Sequence, residues 1–269
     1  MPGVLEFAFR REELFPLADK VREDFLNASP FRHVVIDDFL PAEVLEAVLE
    51  EFPEPRDVEW QRFDTSQEVK LALSDTEQMG PATRHLLAEF NGQVFTSFLE
   101  RLSGIDKLIP DPHYDGGGLH QIRAGGFLKV HADFNLNKRL NVDRRLNGLV
   151  YLNKDWEEGY GGHLQLWNKD MSTCEHKILP VFNRFVLFAT TDDANHGHPD
   201  PLTCPDDRAR RSMALYYYSN GRPDEEVGED HTTLFKQRPG EQWKSNLRQV
   251  AKRWVPPVLV DLASRNGAK

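Results

Sequence analysis

Between Gly104 and Gly221 the chain breaks into short runs rich in Val, Ile, Leu, Phe and Tyr, at 119–123, 127–133, 147–152, 163–168, 175–181, 184–190 and 210–219. Gly, Asn, Asp and Pro punctuate them. Strands this short and this numerous cannot each bury two faces alone; they predict a β-sandwich or jelly roll. The sequence ahead of them reads as helical support, giving an α+β chain with helices on one side of the sheet. Residues 11–27 put Leu14, Leu17, Ala18, Val21 and Phe25 on one side of a helix. A strand follows at 31–36. Pro41 opens a helix with an apolar stripe from Val44 to Phe52, and Pro53 stops it. The stretch 54–80 is polar and irregular. Pro81 opens a helix running to Leu102, ended by Ser103-Gly104. Near the C-terminus, Trp243, Leu247, Val250 and Trp254 are spaced for a last helix over 241–254. No internal repeat or linker interrupts the chain. The expectation is one domain over 1–269, with helical support at 1–104, a core at about 105–221 and a C-terminal extension at 222–269.

Composition excludes some classes of function. The formal charge of −10 argues against a basic face for nucleic acid. No apolar run approaches the ~20 residues that span a bilayer. The start, Met1-Pro2-Gly3-Val4-Leu5-Glu6, lacks the basic-then-apolar pattern of a signal peptide. Cys174 and Cys204 are too few for a disulfide framework or a Cys-rich metal site. The expectation is a soluble cytoplasmic protein whose partner is a small molecule or peptide, with neither nucleic acid nor membrane involved.

The chemistry concentrates at His131-Ala132-Asp133, which follows the apolar run Phe127-Leu128-Lys129-Val130. Residues two apart on a strand share a face, so an imidazole and a carboxylate project together. They make two of the three ligands of a non-haem Fe(II) facial triad, which leaves other metal positions open. A third ligand belongs on a distant strand. The buried run from Asn183 to Thr191 leads to His196 and His198, and both are candidates. Next comes Arg208-Ala209-Arg210-Arg211-Ser212, entering an apolar strand. A guanidinium at the mouth of such a strand needs an anion, because an unpaired buried charge is costly. A planar fork fits a carboxylate bidentately. Arg210 shares a face with Ser212, Ala214 and Tyr216; Arg211 shares one with Met213, Leu215 and Tyr217. The hydroxyl of Ser212 beside the guanidinium favours Arg210, with Arg211 as the alternative.

Taken together, these motifs resemble the 2-oxoglutarate- and Fe(II)-dependent oxygenases, in their prolyl 4-hydroxylase-like branch. The resemblance rests on His131-x-Asp133, Tyr151-Leu152-Asn153-Lys154-Asp155-Trp156, Gly161-Gly162-His163-Leu164, Asn183-Arg184-Phe185, His196 and Arg210-x-Ser212, in that order. It implies a double-stranded β-helix, a jelly-roll variant. It implies His131, Asp133 and His196 as iron ligands, and Arg210, with Tyr151 and Ser212 beside it, as the anchor for the far carboxylate of 2-oxoglutarate. Gln121 stands where some relatives have a tyrosine ten residues before the first His, and is a further candidate for that pocket. The implied reaction uses O2, with ascorbate as an optional reductant, and couples hydroxylation of an unactivated C–H to formation of succinate and CO2. Related halogenases carry a small residue in place of Asp133, so its presence implies hydroxylation. Candidate substrate-lining residues are His113, Tyr114, Asn135, His163 and Trp167. The polar segment 134–146 is a lid or an exposed loop, and Arg139, Arg144 and Arg145 within it read as solvated charge. Two other readings stay open: a cupin-like metal enzyme that uses no 2-oxoglutarate, and a non-catalytic jelly-roll binding module.

Overall fold

The computed structural model describes residues 7–241. The described residues up to Pro239 make one compact unit. A second unit spans 240–269, of which Gly240 and Glu241 are described; the helix expected over 241–254 lies outside the described residues. Four helices precede the main strands: α1 (Arg11–Leu26), α2 (Ala42–Glu50), α3 (Pro81–Phe90) and α4 (Gln93–Ser103). The strands are β1 (His33–Ile36), β2 (Gln61–Asp64), β3 (Glu68–Leu73), β4 (Ile109–Pro110), β5 (Gly118–Arg123), β6 (Phe127–Ala132), β7 (Leu136–Asn137), β8 (Val142–Tyr151), β9 (Leu164–Trp167), β10 (Cys174–Ile178), β11 (Phe185–Ala189), β12 (Asn195–His198), β13 (Ala209–Ser219) and β14 (Leu234–Phe235).

The pairings are antiparallel and run β1-β11-β8-β13-β5-β3-β6-β12-β9-β10. This curled sheet folds over on itself as a jelly roll. Alternation along β13 divides its two faces. Met213, Leu215 and Tyr217 pack among the helices, whereas Arg210, Ser212, Ala214 and Tyr216 line the interior cavity. On the helix side, Phe95 is fully buried among Phe9, Phe90, Phe98, Phe185 and Tyr217, with ring centroids 4.8–6.0 Å away. Phe185 and Tyr217 come from the sheet, so this aromatic cluster joins helices to sheet.

Three elements differ from the sequence expectation. The helix expected from Pro81 to Leu102 is two helices, broken at Asn91-Gly92; Gly92 adopts an extended ψ of 163° and caps α4. Gly104 ends α4 in the left-handed region (φ 73°), its N–H bonding Glu100 O at 2.8 Å. The stretch 54–80 is not irregular throughout: β2 and β3 form a hairpin in it. Its alternation is weak, and its order comes from pairing. Leu71 registers with Gln121 of β5 and Glu68 with Leu128 of β6, so β3 joins the two halves of the roll. This pairing brings Leu73 against Gly118, where an added Cβ would sit 2.3 Å from Leu73 O and φ is +82°; glycine alone suits the position. Finally, 134–146 is no loose loop. β7 and β8 form a hairpin through Leu136↔Asp143, and residues 142–146 already belong to β8.

Asn183 fastens the entry to α2 onto the sheet. Its backbone is left-handed (φ 62°). Its side chain accepts from Leu40 N at 2.9 Å and donates to Leu40 O at 2.7 Å. Asn183→Ala leaves both Leu40 groups buried without partners and loses a residue that tolerates this φ. The expected cost is about 2 kcal/mol of unfolding free energy, read as a lower urea midpoint with unchanged slope.

Candidate active site

His131 is the penultimate residue of β6, Asp133 comes just after the strand's last residue Ala132, and His196 lies on the neighbouring strand β12. The register pairs His196 with His131. Gly197 lets the two strands approach: a Cβ there would lie 2.8 Å from Lys129 O. The His131 and His196 Nε2 atoms stand 3.6 and 3.5 Å from the Asp133 carboxylate oxygens, and the three ligand atoms lie within 4.8 Å of one another. Each histidine has its other nitrogen against a backbone carbonyl, His131 Nδ1 at 2.8 Å from Lys129 O and His196 Nδ1 at 2.9 Å from Ala194 O. Such a bond fixes the tautomer with Nδ1 protonated and leaves Nε2 a bare acceptor aimed at the metal position. Burial pushes the His196 imidazole down to about 4 against the pull of Asp133, so it stays neutral near pH 7. Burial alone would raise the Asp133 carboxyl, but Arg144, His196 and His131 together hold it well below the usual carboxylate range. Two bare imidazole nitrogens and an ionised carboxylate are the donor set of a divalent metal site with positions left open. Phe188 and Phe235 close over it, 4.5 Å from the His196 ring and 5.6 Å from the His131 ring.

The cavity beside this cluster encloses about 280 Å³. Arg210, 4% exposed, lines the same cavity. Its Nε donates to Gly162 O at 2.8 Å and its Nη2 to the Tyr151 hydroxyl at 3.2 Å. Both acceptors are neutral, and among the described residues no carboxylate pairs with it. A buried guanidinium so placed calls for an anion in the cavity. Ser212 lines the same wall. Arg211 faces the other way, pairing with Glu54 at 3.0 Å and lying 4.8 Å from the Phe52 ring.

The remaining candidates do not reach this cavity. Gln121 is out of phase with His120 and Ile122, the residues of β5 that line it; it registers with Arg211 and Leu71 and is buried on the opposite face. The His113 backbone N–H caps Asp111 in a turn, and Tyr114 packs into the helix-side core, its hydroxyl accepting from Asn91 at 3.1 Å. Asn135 ties down the C-terminal segment through Glu229 O and His231 N. His163 pairs with Glu158 at 2.9 Å. Trp167 alternates with the inward Leu166 and packs against Val130 and Met171.

Residues that read as solvated charge or drew no notice complete the site. Arg144 is 1% exposed and lies 3.1 Å from Asp133 Oδ2, with its guanidinium 3.5 Å from the Tyr216 ring centre and 4.4 Å from that of Phe134. Asn147 donates to the same Oδ2 at 3.1 Å. Arg145 is also buried, bonded to Ser219 and Glu226. Of the three arginines in 134–146, Arg139 alone is exposed, as expected. Arg144 and Asn147 both reach the cavity because the β8–β13 register slips, Tyr217 pairing with Leu146 but Tyr218 with Arg144.

Residues 117–238 match the family model of the 2OG-Fe(II) oxygenase superfamily. Similar solved structures include a prolyl-4-hydroxylase from Pseudomonas putida (18% identity, TM-score 0.54, covering 77% of this chain and all of that one). Another is a Trichoplax adhaerens prolyl hydroxylase in complex with a hypoxia inducible factor oxygen degradation domain peptide fragment (21%, 0.52, 79% and 94%). A third is from the prolyl 4-hydroxylases of Phytophthora capsici (26%, 0.50, 81% and 68%). The match lies in the jelly-roll core, and over residues 117–238 the chain carries a 2OG-Fe(II) oxygenase domain, the mark of an enzyme of that class. Within the class, it resembles the prolyl 4-hydroxylase-like branch. No helix among the described residues is long and apolar enough to cross a membrane.

Proposed function

We propose that this protein is an Fe(II)- and 2-oxoglutarate-dependent hydroxylase acting on an unactivated C–H of a peptidyl proline, an amino acid or another small metabolite. The observation that carries the reading is a single cavity lined by both a His-Asp-His cluster and a buried arginine with no carboxylate partner among the described residues. When bound, iron and 2-oxoglutarate supply the oxidising chemistry, consuming O2 and releasing succinate and CO2. The protein's part is ligation, orientation and exclusion of water. His131, Asp133 and His196 hold the metal, their free donor atoms already converging. Arg210 takes the far carboxylate of the co-substrate, with the Tyr151 hydroxyl steadying the guanidinium and Ser212 beside it. Phe188, Phe235 and Tyr216 keep the centre dry. A cupin-like enzyme without an oxoacid would leave Arg210 buried with no counter-ion, and a binding module would need no ligand cluster.

The test is succinate release in the presence of Fe(II), 2-oxoglutarate and candidate peptides or metabolites, with the stimulated rate identifying the substrate. Asp133→Ala removes one of three ligands and is expected to abolish the metal-dependent turnover of 2-oxoglutarate. Hydroxylation retained by that variant would overturn the metal assignment.

A further inference from the structure

His198 lies two residues beyond His196 on β12, yet it is not part of the metal cluster. It is 3% exposed, and neither ring nitrogen has a hydrogen-bond partner. Leaving buried polar atoms unsatisfied is expensive, and an apolar side chain in this wall would avoid the cost. The ring lines the same cavity as Arg210 and Ser212. Charged or titratable groups around it in the cavity lining include Arg210, Lys70, His131, His120, His196, Glu68 and Asp133. The two carboxylates that line the cavity are both engaged: Glu68 pairs with Lys70 at 3.1 Å, and Asp133 pairs with Arg144. Arg210 and His198 therefore bring N–H donors to this cavity without an anion to receive them.

Arg210 is also only partly available. Its Nε and one Nη2 hydrogen are committed to Gly162 and Tyr151, which leaves the Nη1 side of the guanidinium to meet a ligand. A carboxylate has about four acceptor positions, more than this edge fills. Gly162 stands just ahead of β9, the strand that pairs with β12 through Gln165↔Gly197, so the carbonyl that orients Arg210 leads into the strand beside the one that carries His198.

We propose that His198 is a second anchor for the far carboxylate of 2-oxoglutarate, donating a ring N–H to the end of the diacid that Arg210 meets. His198 thereby favours a 2-oxo diacid over a 2-oxo monoacid. The proposal rests on the oxygenase reading above.

The experiment is calorimetric titration of the Mn(II)-loaded, full-length protein with two ligands. One is 2-oxoglutarate. The other is 2-oxobutyrate, which keeps the chelating 2-oxo acid but lacks the far carboxylate. His198→Leu is expected to weaken 2-oxoglutarate by about ten- to a hundredfold, the worth of a hydrogen bond to a charged group, and to leave 2-oxobutyrate unchanged. His198→Gln restores an N–H donor and should regain most of the loss; it also serves if the leucine variant does not fold. Unchanged 2-oxoglutarate affinity in His198→Leu would overturn the assignment, as would equal weakening of both ligands, the mark of a merely structural wall. Failure of the wild-type Mn(II) protein to bind 2-oxoglutarate at all would instead remove the underlying oxygenase reading.

Discussion

Arg210→Ala is expected to weaken 2-oxoglutarate binding by about a hundred- to several-thousand-fold. The estimate follows from burial. A partner removed from a buried ion pair typically costs 3–5 kcal/mol, because the remaining charge is stranded away from water. In the variant, the stranded charge is the ligand's own carboxylate, in a cavity that Ser212 and His198 also line. Arg211→Ala supplies the control. That side chain pairs on the opposite face with Glu54, itself half exposed, and an exposed pair contributes at most about 1 kcal/mol. Titration of both variants with 2-oxoglutarate separates them. A loss below about fivefold for Arg210→Ala, some 1 kcal/mol, would put the carboxylate elsewhere.

Arg144→Met should produce an effect of similar size, with a dependence on metal that ordinary core damage lacks. In the metal-free protein, Asp133 is balanced by Arg144, and the guanidinium is held between Phe134 and Tyr216. Removing the charge while keeping much of the apolar stem leaves a buried carboxylate poorly compensated. The expected cost is about 3–5 kcal/mol of unfolding free energy without metal. A divalent cation can take over that compensation, and it would no longer face a neighbouring positive charge. The variant is therefore expected to bind Mn(II) more tightly than wild type. Added metal should raise its melting temperature by more, since tighter binding to the folded state stabilises it further. Melting curves with and without saturating Mn(II) decide the matter. An equal loss under both conditions would mean that Arg144 serves packing alone.

Legibility in the sequence followed the physics of each element. β6, β11 and β13 were legible because their apolar runs are bounded by turn residues and because period-two alternation fixes which side chains share a face. The same rule put Arg210, Ser212, Ala214 and Tyr216 together, and it would have excluded Gln121 had it been applied to β5. His131-x-Asp133 and His196 are weak signals singly; they became legible only in the ordered set of motifs with Asn183-Arg184-Phe185 and Arg210-x-Ser212. Arg144 carried none. Its position depends on a register slip in β8 opposite Tyr217 and Tyr218, and a slip has no local sequence mark. Its burial depends on Asp133, Phe134 and Tyr216, which only the fold assembles. The β2–β3 hairpin was hidden for a related reason: its strands are half-polar and owe their order to the edges of β5 and β6. The break between α3 and α4 was written as Asn91-Gly92, inside an apolar periodicity that continues across it.

The placement of β14 bears on how this enzyme can be cut for study. Leu234 and Phe235 pair with Ala132 and His131, Thr233 and Phe235 line the cavity, and Glu226 and Glu229 are bonded to Arg145 and Asn135. A truncated gene product stopping after the last long strand, near residue 221, would keep His131, Asp133 and His196 yet strip Thr233 and Phe235 from the cavity lining. On the proposed function, such a fragment is expected to admit bulk solvent to the cavity and to consume 2-oxoglutarate uncoupled from product. Expression boundaries for this protein belong beyond Phe235.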